Sequence, residues 1–192
     1  MSRGAVAWCI VAGTLAMLAA ALWRLPRESL DWQPALALKQ PWRAWSAAFA
    51  HWSGAHLAAN LAGCAVVALF GAAAGVPLSA AVAWFVAWPL GHALLALQPA
   101  LTHYGGLSGV LHAGVAVSSL HLVRHTRGRP RAIGAAVALG LLLKLLLEAP
   151  WGTPSRVWPG WDIPVAPLAH ATGAAAGLVC AALAFAMRRS AQ

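Results

Sequence analysis

Long apolar stretches dominate the chain, and short polar segments separate them. A bilayer core about 30 Å thick needs about 20 apolar residues in a helix to cross it. Helices are the expected form, because a backbone inside lipid must satisfy its own hydrogen bonds. The pattern predicts an all-α membrane protein, a six-helix bundle in a single domain of residues 1–192. The predicted spans are 4–23, 53–70, 77–97, 107–123, 132–148 and 166–187.

The first stretch has a second interpretation as a secretory signal peptide. Arg3 precedes an apolar run that ends in Ala19, Ala20 and Ala21, as a cleavable signal would. Its length, however, is closer to a full span than to the apolar core of a signal peptide. Removing it would also leave five helices, so we predict that it is retained.

Composition excludes a soluble domain and narrows the choice of partners. Of the residues, 61% are hydrophobic and 9% are charged, whereas soluble domains carry about 25% charged residues. The formal net charge is +9, but the cations lie between apolar stretches and form no basic patch, so we expect a lipid bilayer as partner and no nucleic acid. Three cysteines lie inside apolar stretches and match neither a disulfide framework nor a metal-binding spacing. We expect no metal and no cofactor. The cysteines are Cys9, Cys64 and Cys180.

The distribution of basic residues predicts the orientation in the membrane. Arginines without acidic neighbours flank one side of the predicted spans, and this side is expected to be cytoplasmic. Both termini therefore lie in the cytoplasm, and the long connections 24–52 and 149–165 face outward with most of the tryptophans. The cytoplasmic arginines are Arg3, Arg124, Arg127, Arg129, Arg131, Arg188 and Arg189.

Four polar residues interrupt the apolar stretches at a similar depth. His56 and Asn60 lie near the start of the second span, Ser108 near the start of the fourth, and His170 near the start of the sixth. All three spans run inward from the outer side, so at 1.5 Å per residue the serine and both histidines lie within about two turns of the outer boundary. Ionisable residues inside spans are costly and are functional candidates by default. We therefore predict that these side chains meet in one cavity.

The neighbouring residues favour a hydrolytic site over ordinary packing. A serine in a membrane helix is often only a hydrogen-bonding residue, and His170 alone also fits an interior histidine or a haem ligand. Glycines next to Ser108 permit close backbone approach, and Gly173 and Gly177 form a small-residue face for tight helix packing. His56 and Asn60 are spaced i, i+4, so they share a helix face and form a pair of donors for an oxyanion.

The remaining polar residues have weaker cases for function. Lys144 and Glu148 are spaced i, i+4 and are predicted to form an internal ion pair. No acid is obviously placed to orient His170, although Glu148 and Asp162 stay open as supporting acids. His51 is interpreted as a loop or boundary residue, and His92 as interior packing.

The three motifs together resemble the rhomboid family of intramembrane serine proteases. That family carries His-x-x-x-Asn, Gly-x-Ser-Gly and a histidine followed by spaced glycines on these same helices. The resemblance implies a catalytic dyad without a third member, in which Ser108 is the nucleophile and His170 the general base. It also implies an oxyanion hole made by His56, Asn60 and the Ser108 backbone N–H. The matching glycines are Gly106, Gly109, Gly173 and Gly177.

One departure from the family points to a subgroup. Many rhomboids have a tyrosine four residues after the nucleophile, stacked on the catalytic histidine, and here this position is His112. Because of this histidine and its compact six-helix length, the chain is similar to the bacterial rhombosortases. This likeness implies a location in the bacterial inner membrane, with the active site opening to the periplasm. It implies substrates anchored by a C-terminal tail with Gly-Gly, a transmembrane helix and a basic end.

Three other functions are consistent with parts of the sequence. One is a general rhomboid protease with other transmembrane substrates. Another is a non-catalytic rhomboid-like protein that binds membrane clients, although such relatives typically lack the serine or the histidine of the dyad. The third is a membrane cytochrome, which would leave Ser108 and Asn60 unexplained. Its axial ligands would come from His56, His92, His112 and His170.

Overall fold

The computed structural model describes residues 1–190, with side chains up to residue 187, so the predicted cytoplasmic Arg188 and Arg189 lie outside the described side chains. The prediction of an all-helical protein is confirmed, because the described residues form helices and no strands. The helices are α1 (Arg3–Ala21), α2 (Arg43–Ser46), α3 (Gly54–Ala73), α4 (Leu78–Ala93), α5 (Ser108–His125), α6 (Arg129–Glu148) and α7 (Pro167–Ser190).

Five helical segments are long and apolar enough to cross a membrane: α1, α3, α4 with its 3-10 extension Leu94–Leu97, α6 and α7. Many of their large apolar side chains are exposed on the outside of the bundle, as expected of a surface that faces lipid. These observations indicate a multi-pass membrane protein. The predicted fourth span, 107–123, corresponds to α5, which is 18 residues long and mostly buried among the other helices.

Alternation of long and short connections gives the bundle two different ends. Tight turns join α3 to α4 and α5 to α6 at one end. The segments 22–53, 98–107 and 149–166 lie at the opposite end, which we call the long-loop end. Helices α3, α5 and α7 all begin there, so the first residues of these three helices lie at one end of the bundle.

Helix α5 packs against α3, α4, α6 and α7 and forms the centre of the bundle. Its contact with α7 depends on glycine. A Cβ atom at Gly173 would overlap the carbonyl oxygen of Gly109, and one at Gly177 would lie 2.6 Å from that of Ala113. The two backbones therefore touch, which is the close approach that small residues permit between membrane helices.

The long-loop end is more ordered than its sequence indicated. The connection predicted at 24–52 contains α2, whose Arg43 is buried and donates to the Asp31 carboxylate at 3.0 Å. The second oxygen of Asp31 lies 2.6 Å from Nδ1 of His103. Backbone bonds of 2.7 and 2.9 Å also pair Trp32 with Tyr104. These contacts fix the 98–107 segment against the first loop, directly before α5 begins at Ser108.

Candidate active site

A cavity of about 980 Å³ opens at the long-loop end. Helices α3, α5 and α6 and the segments 100–105 and 154–166 line it, and most of the lining is apolar. Five of the predicted site residues line this cavity: His56 and Asn60 from α3, Ser108 and His112 from α5, and His170 from α7.

Ser108, His170 and Glu148 form a continuous chain of hydrogen bonds. The Ser108 Oγ atom lies 3.0 Å from Nε2 of His170, and Nδ1 of the same ring lies 2.7 Å from Oε2 of Glu148. A carboxylate can only accept, so Nδ1–H donates to Glu148 and Nε2 is left to accept the serine proton. A serine nucleophile, a general base and an acid that orients the base would require such an arrangement.

The expectation that no acid is placed to orient His170 is therefore wrong, and of the two acids left open it is Glu148 that contacts the ring. Glu148 is the last residue of α6. From its position in the sequence we expected it to lie at the membrane boundary. Its side chain turns inward and is only 13% exposed. Asp162, the other acid left open, instead accepts a hydrogen bond of 2.9 Å from the Ser53 hydroxyl.

The predicted ion pair between Lys144 and Glu148 is present, but it lines the cavity and is not internal, because the Lys144 side chain is 46% exposed. Lys144 Nζ is 2.5 Å from Oε1 of Glu148 and 3.4 Å from Nδ1 of His170. Arg156 donates to the backbone carbonyl of Glu148 at 3.3 Å. Two cations thus surround the end of α6, where helix carbonyls carry partial negative charge.

His112 lies flat against His170. The two rings stack with centroids 4.2 Å apart and an angle of 11° between their planes. His112 Nδ1 lies 2.6 Å from the Ser108 carbonyl oxygen, so this nitrogen donates. An imidazole therefore occupies the stacking position that the family resemblance assigns to a tyrosine, and it is held one helical turn after the serine.

His56 and Asn60 lie against the turn that leads into α5. Gly106 has a φ of +114°, and a Cβ there would be 2.6 Å from His56 Nε2 and 3.4 Å from Asn60 Nδ2. The absence of a side chain is thus required both by the backbone conformation and by the two donors. Ser108 is the first residue of α5, where N–H groups have no acceptor within the helix. Donors from α3 and α5 therefore surround one small region beside Ser108.

His51 lies in the loop before α3, as predicted, and its side chain also holds Asn60 in position. It is 1% exposed, and its Nδ1–H donates to the Phe49 carbonyl at 3.1 Å. Its Nε2 then accepts from the Asn60 amide, also at 3.1 Å. Burial lowers the pKa of His51, against the opposing effect of the Phe49 carbonyl, so the ring is neutral and can accept. The second amide N–H of Asn60 is left for a ligand.

His92 lies outside the cavity and belongs to the interior packing, as predicted. It is buried, and its Nδ1–H donates to the Ala44 carbonyl at 2.7 Å. Within residues 1–190, no group of three or more His, Cys, Asp or Glu side chains is arranged to hold a metal ion.

Tyr104 is a neighbour of the serine that the sequence did not single out. Its hydroxyl lies 3.4 Å from the Gly106 carbonyl oxygen. Burial raises the pKa of Tyr104, although the Ser108 hydroxyl and the Gly109 backbone act in the opposite direction. The hydroxyl therefore stays protonated, which keeps it a hydrogen-bond donor beside the start of α5.

The amino-acid sequence matches no protein-family model, and neither the curated proteins nor the solved structures include a match to it.

Proposed function

We propose that this chain is an intramembrane serine endopeptidase that cleaves membrane-anchored proteins near the outer face of the membrane. The observation that carries the proposal is the hydrogen-bonded series from Ser108 Oγ through His170 to the Glu148 carboxylate. It lies in a cavity lined by apolar helices and open at the long-loop end. Ordinary helix packing requires neither a serine–histidine–acid series nor a cavity beside it.

In this mechanism, Ser108 Oγ attacks the scissile carbonyl carbon while its proton passes to Nε2 of His170. Glu148 stabilises the imidazolium that forms and keeps Nε2 directed at the serine. The carbonyl oxygen becomes an oxyanion, which His56, Asn60 and the Ser108 N–H stabilise. The C–N bond then breaks, and the leaving amine takes the proton from His170. An acyl-enzyme on Ser108 remains.

The second half of the reaction releases the acyl group. Water enters the cavity, His170 removes its proton, and the resulting oxygen nucleophile attacks the ester carbonyl. The bond to Ser108 Oγ breaks, and His170 returns the proton to the serine. An amine in place of water would give transfer to a new acceptor by the same steps.

In this proposal all six long helices cross the bacterial inner membrane, with both termini in the cytoplasm. The arginines at the short-turn end support this orientation through the positive-inside rule. The long-loop end then faces the periplasm, and the site lies one to two turns below that boundary. Helix α5 crosses while surrounded by other helices, which explains how a span with several histidines and serines is tolerated.

The proposed substrates are surface proteins with a C-terminal tail of Gly-Gly, a transmembrane helix and basic residues. A peptide bond can be attacked only where the substrate helix is unwound, and each glycine lowers helix stability by about 1 kcal/mol relative to alanine. The similarity to rhombosortases at His112 supports this substrate class over general rhomboid substrates. A client-binding role without catalysis would leave the bond between Ser108 and His170 without a use.

The proposal predicts release of a reporter that carries such a tail. When both are co-expressed, we expect the wild-type chain to free the reporter into the periplasm, cut at or beside Gly-Gly. A tail with Leu-Leu in place of Gly-Gly should stay in the membrane, because its helix does not unwind at the site. Mass spectrometry of the released C-terminus gives the cleavage position.

The two tails separate the possible functions. Equal release of both would make the chain a general rhomboid protease. The endopeptidase assignment would be contradicted if a well-expressed wild-type chain released neither tail and no other transmembrane reporter.

The oxyanion donors give a second prediction. His56→Ala and Asn60→Ala should each lower kcat more than they raise KM, because they act on the transition state. Loss of one such donor typically costs about 10²- to 10³-fold in rate. The Ala58→Ser change, at an exposed position of α3 outside the lining of the cavity, is the control and should keep the wild-type kcat. Near-wild-type kcat in both single variants and in the double variant would remove these residues from the oxyanion hole.

A further inference from the structure

The Glu148 carboxylate is shared between two partners, and each partner uses a different oxygen. Oε2 accepts from His170 Nδ1 at 2.7 Å, and Oε1 accepts from Lys144 Nζ at 2.5 Å. The lysine reaches it from the preceding turn of α6. Both oxygens are engaged, so the carboxylate cannot rotate without breaking one of these bonds.

Helix stability does not account for this pair. On an isolated helix, glutamate stabilises more when it precedes lysine by four residues than when it follows, and here it follows. The last turn of a helix also disfavours a carboxylate, because the macrodipole is negative there. Glu148 is the final residue of α6, so its charge is unfavourable for the helix and needs a counterion to persist.

The ionised form of Glu148 is the one that the proposed reaction requires. A carboxylate accepts from Nδ1–H and leaves Nε2 free to take the Ser108 proton. A neutral carboxylic acid can donate to Nδ1 instead, which puts the remaining ring hydrogen on Nε2 and removes the base. Glu148 is only 13% exposed, and burial without a partner favours the neutral acid.

We propose that Lys144 is a positioning residue that keeps Glu148 ionised and oriented, and thereby sets the tautomer of His170. This inference rests on the proposed function, since it concerns the same site. Lys144 Nζ lies 3.4 Å from His170 Nδ1 but 2.5 Å from Glu148 Oε1, and the shorter contact is the one through which we propose that it acts. In this inference the group that orients His170 is the ion pair of Lys144 and Glu148, and not Glu148 alone.

Other charged and titratable groups also face His170 and enter its pH dependence. His112 stacks on it from α5, and His56 approaches the cavity from α3. Arg156 in the 149–166 segment donates to the backbone carbonyl of Glu148 at 3.3 Å, whereas Asp162 in that segment accepts from Ser53 at the start of α3. Each of these groups is left in place in the variants below, so changes between them report on Lys144 and Glu148.

The test compares Lys144→Met, Lys144→Arg and Lys39→Met in the full-length protein with the Gly-Gly reporter. We expect Lys144→Met to lower kcat/KM by about 10- to 100-fold, the range typical of outer-shell partners of functional histidines in metal sites. Lys144→Arg keeps the charge and should restore most of the rate. Lys39→Met makes the same chemical change on an exposed side chain at the same end of the bundle and should match the wild type.

A pH profile separates positioning from a general structural effect. Removing the lysine charge raises the proton affinity of both Glu148 and His170, so the acid limb of kcat/KM should move to higher pH in Lys144→Met. Glu148→Gln removes the negative charge that lies beside His170, so the acid limb of kcat/KM should move to lower pH in this variant. In the Glu148→Gln background, Lys144→Met should have much less effect on the rate than it has in the wild type.

The outcomes are distinguishable. A wild type that cleaves and a Lys144→Met variant with unchanged rate and pH profile would overturn the inference and leave the protease intact. Additive losses in the double variant would show that Lys144 does not act through Glu148, which also overturns it. A wild type without any proteolytic activity would overturn the proposed function, and this inference with it.

Discussion

Ser108→Ala is expected to abolish both cleavage of the tail reporter and labelling by a fluorophosphonate probe, because it removes the oxygen that the proposed mechanism uses to form the acyl bond. Loss of the catalytic serine in a soluble serine protease costs on the order of 10⁶-fold in kcat, so we expect no measurable release of the reporter. His170→Ala should have the same result, since Ser108 Oγ bonds Nε2 of that ring at 3.0 Å and an unassisted serine hydroxyl is a weak nucleophile.

Ser118→Ala is the matched control for this prediction. Ser118 lies on the same helix, α5, and is fully buried, but it lies outside the cavity that contains Ser108. It should be labelled neither in the wild type nor in Ser108→Ala, and its alanine variant should cleave normally. Size-exclusion profiles and thermal unfolding in detergent verify that each variant is folded. A folded Ser108→Ala variant that keeps its labelling or its turnover would exclude Ser108 as the nucleophile.

The positions of the long helices follow closely from the apolar pattern. The predicted span 53–70 corresponds to α3 at Gly54–Ala73, and 107–123 to α5 at Ser108–His125. Hydropathy determines where a segment leaves the bilayer, and capping residues such as Ser53 set the first turn. The short helix α2 was missed, because its four residues lie in a loop and are held by the buried contact of Arg43 with Asp31.

Depth along a helix could be predicted, but direction around it could not. His56, Ser108 and His170 were expected at matching depth, and they share one cavity. For Glu148, its place at the end of α6 gave its depth but not the face from which its side chain projects. The direction in which the Glu148 side chain projects depends on how α6 packs on α5, and the local sequence does not indicate this packing. The nearest signal was Lys144, since an i, i+4 pair indicates that two side chains share a face.

His51 shows a second limit of sequence patterns. It precedes α3 and so belongs to no helical periodicity, and its bond to Asn60 joins residues nine positions apart. Extended segments before a helix have no regular direction for their side chains, so burial of His51 could be learned only from the structure. Polar groups that orient a site residue are often of this kind, because they are defined by tertiary contact.

Glu148→Gln is expected to lower kcat by about 10³- to 10⁴-fold with a much smaller change in KM. The amide keeps the shape of the side chain but loses the charge that stabilises the imidazolium, and an amide N–H facing Nδ1 would favour the wrong tautomer. In the serine-protease triad, the equivalent change from acid to amide costs about 10⁴-fold. Reporter cleavage and the rate of fluorophosphonate labelling are the two measurements.

Asp162→Asn is the comparison that makes this prediction specific. Both acids lie at the long-loop end, but Asp162 bonds Ser53 and Glu148 bonds His170. A triad predicts a large loss in Glu148→Gln and a small one in Asp162→Asn. Glu148→Asp should also be impaired, because a side chain shorter by one methylene no longer spans from the end of α6 to Nδ1. A folded Glu148→Gln variant that cleaves at the wild-type rate would show that Ser108 and His170 act as a dyad. The Glu148 carboxylate of the wild type would then serve only to neutralise Lys144.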